Sequence, residues 1–67
     1  MVTNRVYRLK KDVEVTKGVS LQAGQELEIV TDVVYVNGNM VPPQMQPLFY
    51  SFIMNNKGLF DDVTKNW

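Results

Sequence analysis

From residue 6 to residue 41, apolar side chains alternate with polar ones in short runs, and the alternation stops at Pro42-Pro43. Tyr7 and Leu9 alternate with Arg8 and Lys10, Val13 and Val15 with Glu14 and Thr16, and Leu27 and Ile29 with Glu26 and Glu28. The β-branched run Val33-Val34-Tyr35-Val36 follows. Period two puts every second side chain on one face, so these runs predict half-buried antiparallel strands. Gly18 and Gly24 punctuate the first half, after the turn signals Thr16-Lys17-Gly18 and Gln22-Ala23-Gly24. Asn37-Gly38, between Tyr35-Val36 and Met40-Val41, predicts a two-residue hairpin. Thr31-Asp32 interrupts the run from Leu27 to Val36, which leaves either one long strand bent over the core or two short strands.

Beyond Pro42-Pro43 the period changes. Met45, Leu48, Phe49, Phe52 and Ile53 recur at i, i+3, i+4, i+7 and i+8, the stripe of an amphipathic helix. Pro43 or Pro47 fits its first turn, where a missing N–H costs nothing. Asn55-Asn56-Lys57-Gly58 supplies the stop. Tyr50, Met54 and Trp67 lie outside the stripe and are expected to stay partly exposed, as side chains that meet a neighbouring subunit. The tail from Leu59-Phe60 onward is either a closing strand or an irregular arm.

These elements predict a mainly β chain: a small, strongly bent antiparallel barrel of SH3-like or OB-like kind with one helix, forming a single domain over residues 1–67. A barrel of this size is filled by its own side chains. The sequence has no cysteine, so no disulfide can staple the fold. Below about 70–80 residues, one core rarely supplies more than a few kcal/mol, and oligomerisation is the remaining support. A homo-oligomer is therefore expected. The most apolar stretch, Leu48 to Met54, falls far short of the roughly 20 residues of a spanning helix, so a soluble, intracellular protein without membrane contact is expected.

The chemistry open to the chain is narrow. Histidine is absent as well as cysteine, which removes the commonest general base and the commonest metal ligands. Ser20 and Ser51 thus have no imidazole to activate them. Gly18 and Gly24 fit neither a P-loop nor a dinucleotide spacing. Glu26 with Glu28, and Asp61 with Asp62, pair carboxylates without a third ligand or a catalytic partner, and read as a solvated strand face and a turn. No catalysis, no cofactor and no metal are expected.

Charge is balanced overall but not along the chain. Lys plus Arg equals Asp plus Glu at 7 each. Residues 1–17 hold five cations and two acids, a net +3, and residues 18–67 hold two cations and five acids, a net −3. Arg5, Arg8, Lys10 and Lys11 could face phosphate; alternatively they protect an edge strand, or meet the acidic part of a neighbouring subunit. Asn37 and Asn39 flank the hairpin tip beside Tyr35, where amides can reach base edges and an aromatic ring can stack.

The run Asp32-Val33-Val34-Tyr35-Val36-Asn37-Gly38, then Pro42-Pro43, then Leu59-Phe60, Val63-Thr64 and Trp67, resembles a group of short marine proteins attributed to cyanophages and regarded as Sm-like. The resemblance spans roughly residues 6 to 67. It implies a strongly bent five-stranded barrel that forms rings by pairing the edge strands of neighbouring subunits. It also implies RNA binding near the ring pore, with Tyr35 in the place of a stacking aromatic and Asn37 in that of a base-reading amide. For a phage-encoded protein, the compartment implied is the host cytoplasm.

Two functions follow as expectations. The first is sequence-tolerant binding of single-stranded nucleic acid, RNA ahead of DNA, by a homo-oligomeric ring. Arg5, Arg8, Lys10 and Lys11 would contact phosphate, Tyr35 would stack, and Asn37 and Asn39 would bond to base edges. The second is a structural or protein-interaction module of phage origin that uses its sheet edge.

Overall fold

The computed structural model describes residues 4–64. Six strands come first: β1 (Asn4–Leu9), β2 (Val13–Thr16), β3 (Val19–Leu21), β4 (Glu26–Val30), β5 (Val33–Val36) and β6 (Asn39–Met40). A 3-10 turn (Pro43–Met45), the helix α1 (Gln46–Asn55), a second 3-10 turn (Lys57–Leu59) and β7 (Phe60–Asp62) complete the chain. Five strands form one antiparallel sheet in the order β6-β5-β4-β1-β7, and β2 and β3 pair separately as a hairpin.

Turn chemistry sets the registers. Thr31-Asp32 makes two short strands rather than one bent one: Val30 pairs with Val33, and both turn residues take positive φ, 47° and 65°. Asn37-Gly38 does the same between Val36 and Asn39, with φ of 50° and 87°. Two-residue loops with two left-handed positions match the twist of the strands they join. Asn and Gly accept that conformation readily, whereas β-branched Thr31 is strained by it.

The tail is a strand. β7 runs antiparallel to β1, with Tyr7 opposite Asp62 and Leu9 opposite Phe60. The last strand therefore lies beside the first, and β1 sits between β4 and β7. The sheet is open, with β6 and β7 as its two edges.

One face of the sheet carries the core. Tyr7, Leu9, Leu27, Ile29 and Val34 are buried there with Leu21, Val41, Phe49, Ile53 and Phe60. Phe60 meets Tyr7 and Phe52 edge to face, each at a centroid distance of 6.2 Å, a geometry that suits aromatic quadrupoles. The helix crosses this face through Phe49 and Ile53, which are buried, with Met45 and Phe52 alongside. Its orientation departs in detail from the sequence stripe. Tyr50 and Met54 pack against the core while staying partly exposed, and Leu48 is half-buried away from it. The packed face is rotated toward Gln46 and Tyr50. Trp67 lies outside the described residues. Among the described residues, no helix is long and apolar enough to cross a membrane.

The second face of the sheet is turned away from the core. Register places Val6, Glu28, Tyr35 and Met40 in one row across β1, β4, β5 and β6. Arg8 with Glu26, and Val30 with Val33, lie on the same face.

Candidate functional site

Every second residue of β1 points to one side, and the neighbouring strands decide what each basic side chain meets. Arg8 stands opposite Glu26 on β4 and Asp61 on β7. Its guanidinium binds Glu26 at 2.9 Å. Lys10 reaches Asp61 at 3.6 Å, and Arg5 reaches Asp62 at 3.4 Å. All six side chains remain about half exposed, so each pair contributes no more than about 1 kcal/mol to stability. Their effect on ligands is larger in kind: a phosphate at Arg5, Arg8 or Lys10 has to displace a carboxylate already in place. Lys11, on the link after β1, is exposed and has no ion pair among the described residues.

The Arg5 end is held by more than charge. The Tyr7 hydroxyl first, and Asp62 second, favour the charged guanidinium and raise its pKa above the ordinary value. Hydrogen bonds from Thr64, with Arg5 and Lys57 adding attraction, hold the Asp62 carboxyl below its ordinary value. The Thr64 N–H donates to Asp62 Oδ1 at 2.9 Å, and its hydroxyl oxygen accepts the Val6 N–H at 2.9 Å. An acid followed two residues later by Thr is the local pattern that foreshadows this turn. The Val6 contact, 58 residues away in sequence, has no local signal.

At the far side of the sheet, Tyr35 is half-buried on β5, opposite Glu28 and Met40. Asn37 is committed to the fold: its Oδ1 accepts the Glu26 N–H at 3.1 Å, and its own N–H donates to the Glu26 carbonyl at 2.9 Å. Asn39 is exposed on the edge strand. Asn37 and Asn39 line one open groove of about 520 Å³ together with Val36, Met40, Met45 and Phe49. Tyr35 does not line it. The residues expected to act together are thus dispersed: Arg8 shares the outer face with Tyr35, Arg5 lies on the opposite face of β1, Lys10 and Lys11 follow β1, and the two amides line the groove.

Two features were not anticipated from the sequence. A cavity of about 370 Å³ lies between β1, β4 and the stretch after β7, lined by Asn4, Val6, Arg8, Glu26, Glu28, Val63 and Thr64. Gln46, at the start of the helix, hydrogen-bonds into the sheet. Among the described residues, no cluster of three or more acidic side chains could hold a metal ion. Compared with known proteins, the chain matches no family model, no curated protein and no solved structure.

Proposed function

We propose that this protein is a non-catalytic assembly module whose first partner is another copy of itself. The observation that carries this reading is the open sheet: β6 and β7 are both edges, and the face away from the core presents half-buried apolar side chains. Met40, at 58% exposure, is the large hydrophobic residue left most open among the described residues. Unpaired strand edges are templates for pairing with another chain. The small size and the absence of staples favour the same outcome. Within this reading the fold is a bent barrel of Sm-like or SH3-like kind. A last strand laid beside the first leaves β6 and β7 as the pair of edges that closure, within or between subunits, would bring together. Light scattering on the full chain is the test: a mass that is a multiple of 7.7 kDa at micromolar concentration supports the reading, and a folded monomer at all concentrations overturns it.

Single-stranded nucleic acid, RNA ahead of DNA, is the second reading. The groove that sets Asn37 beside Asn39 favours it, since amides and apolar walls can hold a splayed base. The paired state of Arg5, Arg8 and Lys10 implies weak binding per subunit, raised by avidity in an assembly. Fluorescence anisotropy with short labelled RNA and DNA at two salt concentrations tests it. Binding that weakens with salt supports it; no binding at low salt ends it.

A further inference from the structure

The outer face of the sheet has an unpaired carboxylate at its centre. Glu28 lies opposite Val6 on β1 and Tyr35 on β5, with Val30 two residues along its own strand. Glu26 and Asp61 nearby are engaged by Arg8 and Lys10. Glu28, half-buried, has neither an ion pair nor a side-chain hydrogen bond among the described residues. The 370 Å³ cavity opens beside it, with Val6 and Val63 as apolar walls and Thr64 and the Arg8–Glu26 ion pair, its charges mutually engaged, as polar ones. A carboxylate above apolar walls suits an alkylammonium group, whose stem packs on the valines while its head meets the charge.

The chain itself carries a cation shaped for that place. Lys17 and Gly18 form the exposed tip of the β2–β3 hairpin, which is not part of the five-stranded sheet. Glu14 Oε2 accepts the Gly18 N–H, so the tip is closed by its own strand. Arg5, Arg8 and Lys10 are held by their own carboxylates, and Lys57 lies within reach of Asp62. Lys11 sits at the root of the hairpin, Lys17 at its tip.

We propose that Glu28 and its cavity receive Lys17 of a second copy, so that the β2–β3 hairpin of one subunit docks on the outer face of the next. The two surfaces are different regions of the chain, so the contact is head-to-tail and propagates into a ring or a filament. This proposal rests on the self-assembly reading, and adds to it a contact separate from the sheet edges.

The test uses the full chain and two independent readouts. Glu28→Lys and Lys17→Glu should each weaken self-association at least tenfold by analytical ultracentrifugation, as expected for loss of a close charge pair. Combining the two should restore it. Both sites lie outside the core, and circular dichroism checks that the variants fold. Because the natural sequence has no cysteine, a Lys17→Cys, Glu28→Cys variant should give disulfide-linked dimers and higher multimers on oxidation. Lys65→Ala is the control for the chain's own C-terminal cation and should leave assembly unchanged. An assembled protein indifferent to both charge reversals, with no multimer in the cysteine variant, overturns this contact alone. Loss of assembly in Lys65→Ala but not in Lys17→Glu also overturns it. A wild-type protein that stays monomeric overturns both this contact and the assembly reading.

Discussion

The side-chain amide of Gln46 takes the ladder position beside Val34 that a strand residue would ordinarily fill. Its Oε1 accepts the Val34 N–H at 2.7 Å, and its Nε2 donates to the carbonyls of Val34 at 3.0 Å and Val41 at 2.8 Å. The Val41 N–H still donates to Val34 at 3.0 Å. β6 ends at Met40 and the chain leaves at Pro42-Pro43, where prolines have no N–H to offer. Gln46 thereby ties the first residue of the helix to the sheet. On the helix that begins there, Tyr50 packs against the core and Leu48 does not.

Replacing Gln46 should therefore destabilise the fold. Gln46→Leu leaves the Val34 N–H without a partner in a partly buried place, at a cost of about 1–3 kcal/mol. Gln46→Glu keeps the acceptor but turns an anion toward two carbonyls. That environment favours the protonated acid, which can donate, so its pKa in the folded state is raised. The stabilisation is then present below the ordinary Glu value and lost as pH rises through the folded one. Urea melts of both variants between acid and neutral pH should show Gln46→Glu recovering on acidification and Gln46→Leu not.

Thr31 holds a left-handed conformation that suits glycine or asparagine better, with φ of 47°. For a β-branched residue this conformation is strained by about 1–2 kcal/mol. Thr31→Asn or Thr31→Gly should raise thermal stability, and the same substitution in a strand would lower it. An unchanged or reduced melting temperature for both variants would show that the turn does not hold this strain.

The Asp62 carboxyl is held below its ordinary pKa by Thr64 first and by Arg5 and Lys57 last. A depressed folded value contributes stability above the unfolded pKa, near about 4, and loses it as pH falls through the folded value. Acidification should thus weaken the contacts of Asp62 with Thr64 and Arg5 at the β7–β1 edge in that window. Asp62→Asn should abolish this acid-dependent loss, and carboxyl NMR should place the Asp62 transition below the ordinary aspartate range. Thr64→Val should raise the Asp62 transition and also remove the partner of the Val6 N–H.

How much of this was legible from residues alone follows the range of each interaction. Strands, the Asn37-Gly38 hairpin and the helix depend on neighbours within a few positions, so alternation and turn residues disclose them. The tail at Phe60 offered two options because a three-residue strand is too short to show a period. Charge pairing was hidden, since it depends on register. Arg8 meets Glu26 only because β1 lies against β4, and Lys10 and Arg5 meet Asp61 and Asp62 only because the last strand returns beside the first. The excess of cations in residues 1–17 and of acids beyond is therefore cancelled in part within the chain itself. Gln46 carried no signal at all, because a glutamine in a first helical turn looks like any other helix former.

That cancellation makes a sharp prediction about nucleic acid. If Arg8 and Lys10 are silenced by their own carboxylates, freeing them should strengthen binding that is weak in the natural chain. Glu26→Gln releases Arg8, and Asp61→Asn releases Lys10, while each amide keeps the shape of the acid it replaces. The double variant also moves the net charge from zero to +2, two acids fewer against the same cations. Binding of a short single-stranded RNA should tighten relative to wild type, and its dependence on salt should steepen as two more phosphates are neutralised. Adding Tyr35→Ala separates the remaining roles: loss of a base stack should weaken binding by about 1–3 kcal/mol, whereas a purely electrostatic contact should not change. Fluorescence anisotropy across a salt series reads both effects. Equal affinity for wild type and the double variant would mean that phosphate does not approach β1, and would place any nucleic-acid contact at the groove of Asn37 and Asn39 instead.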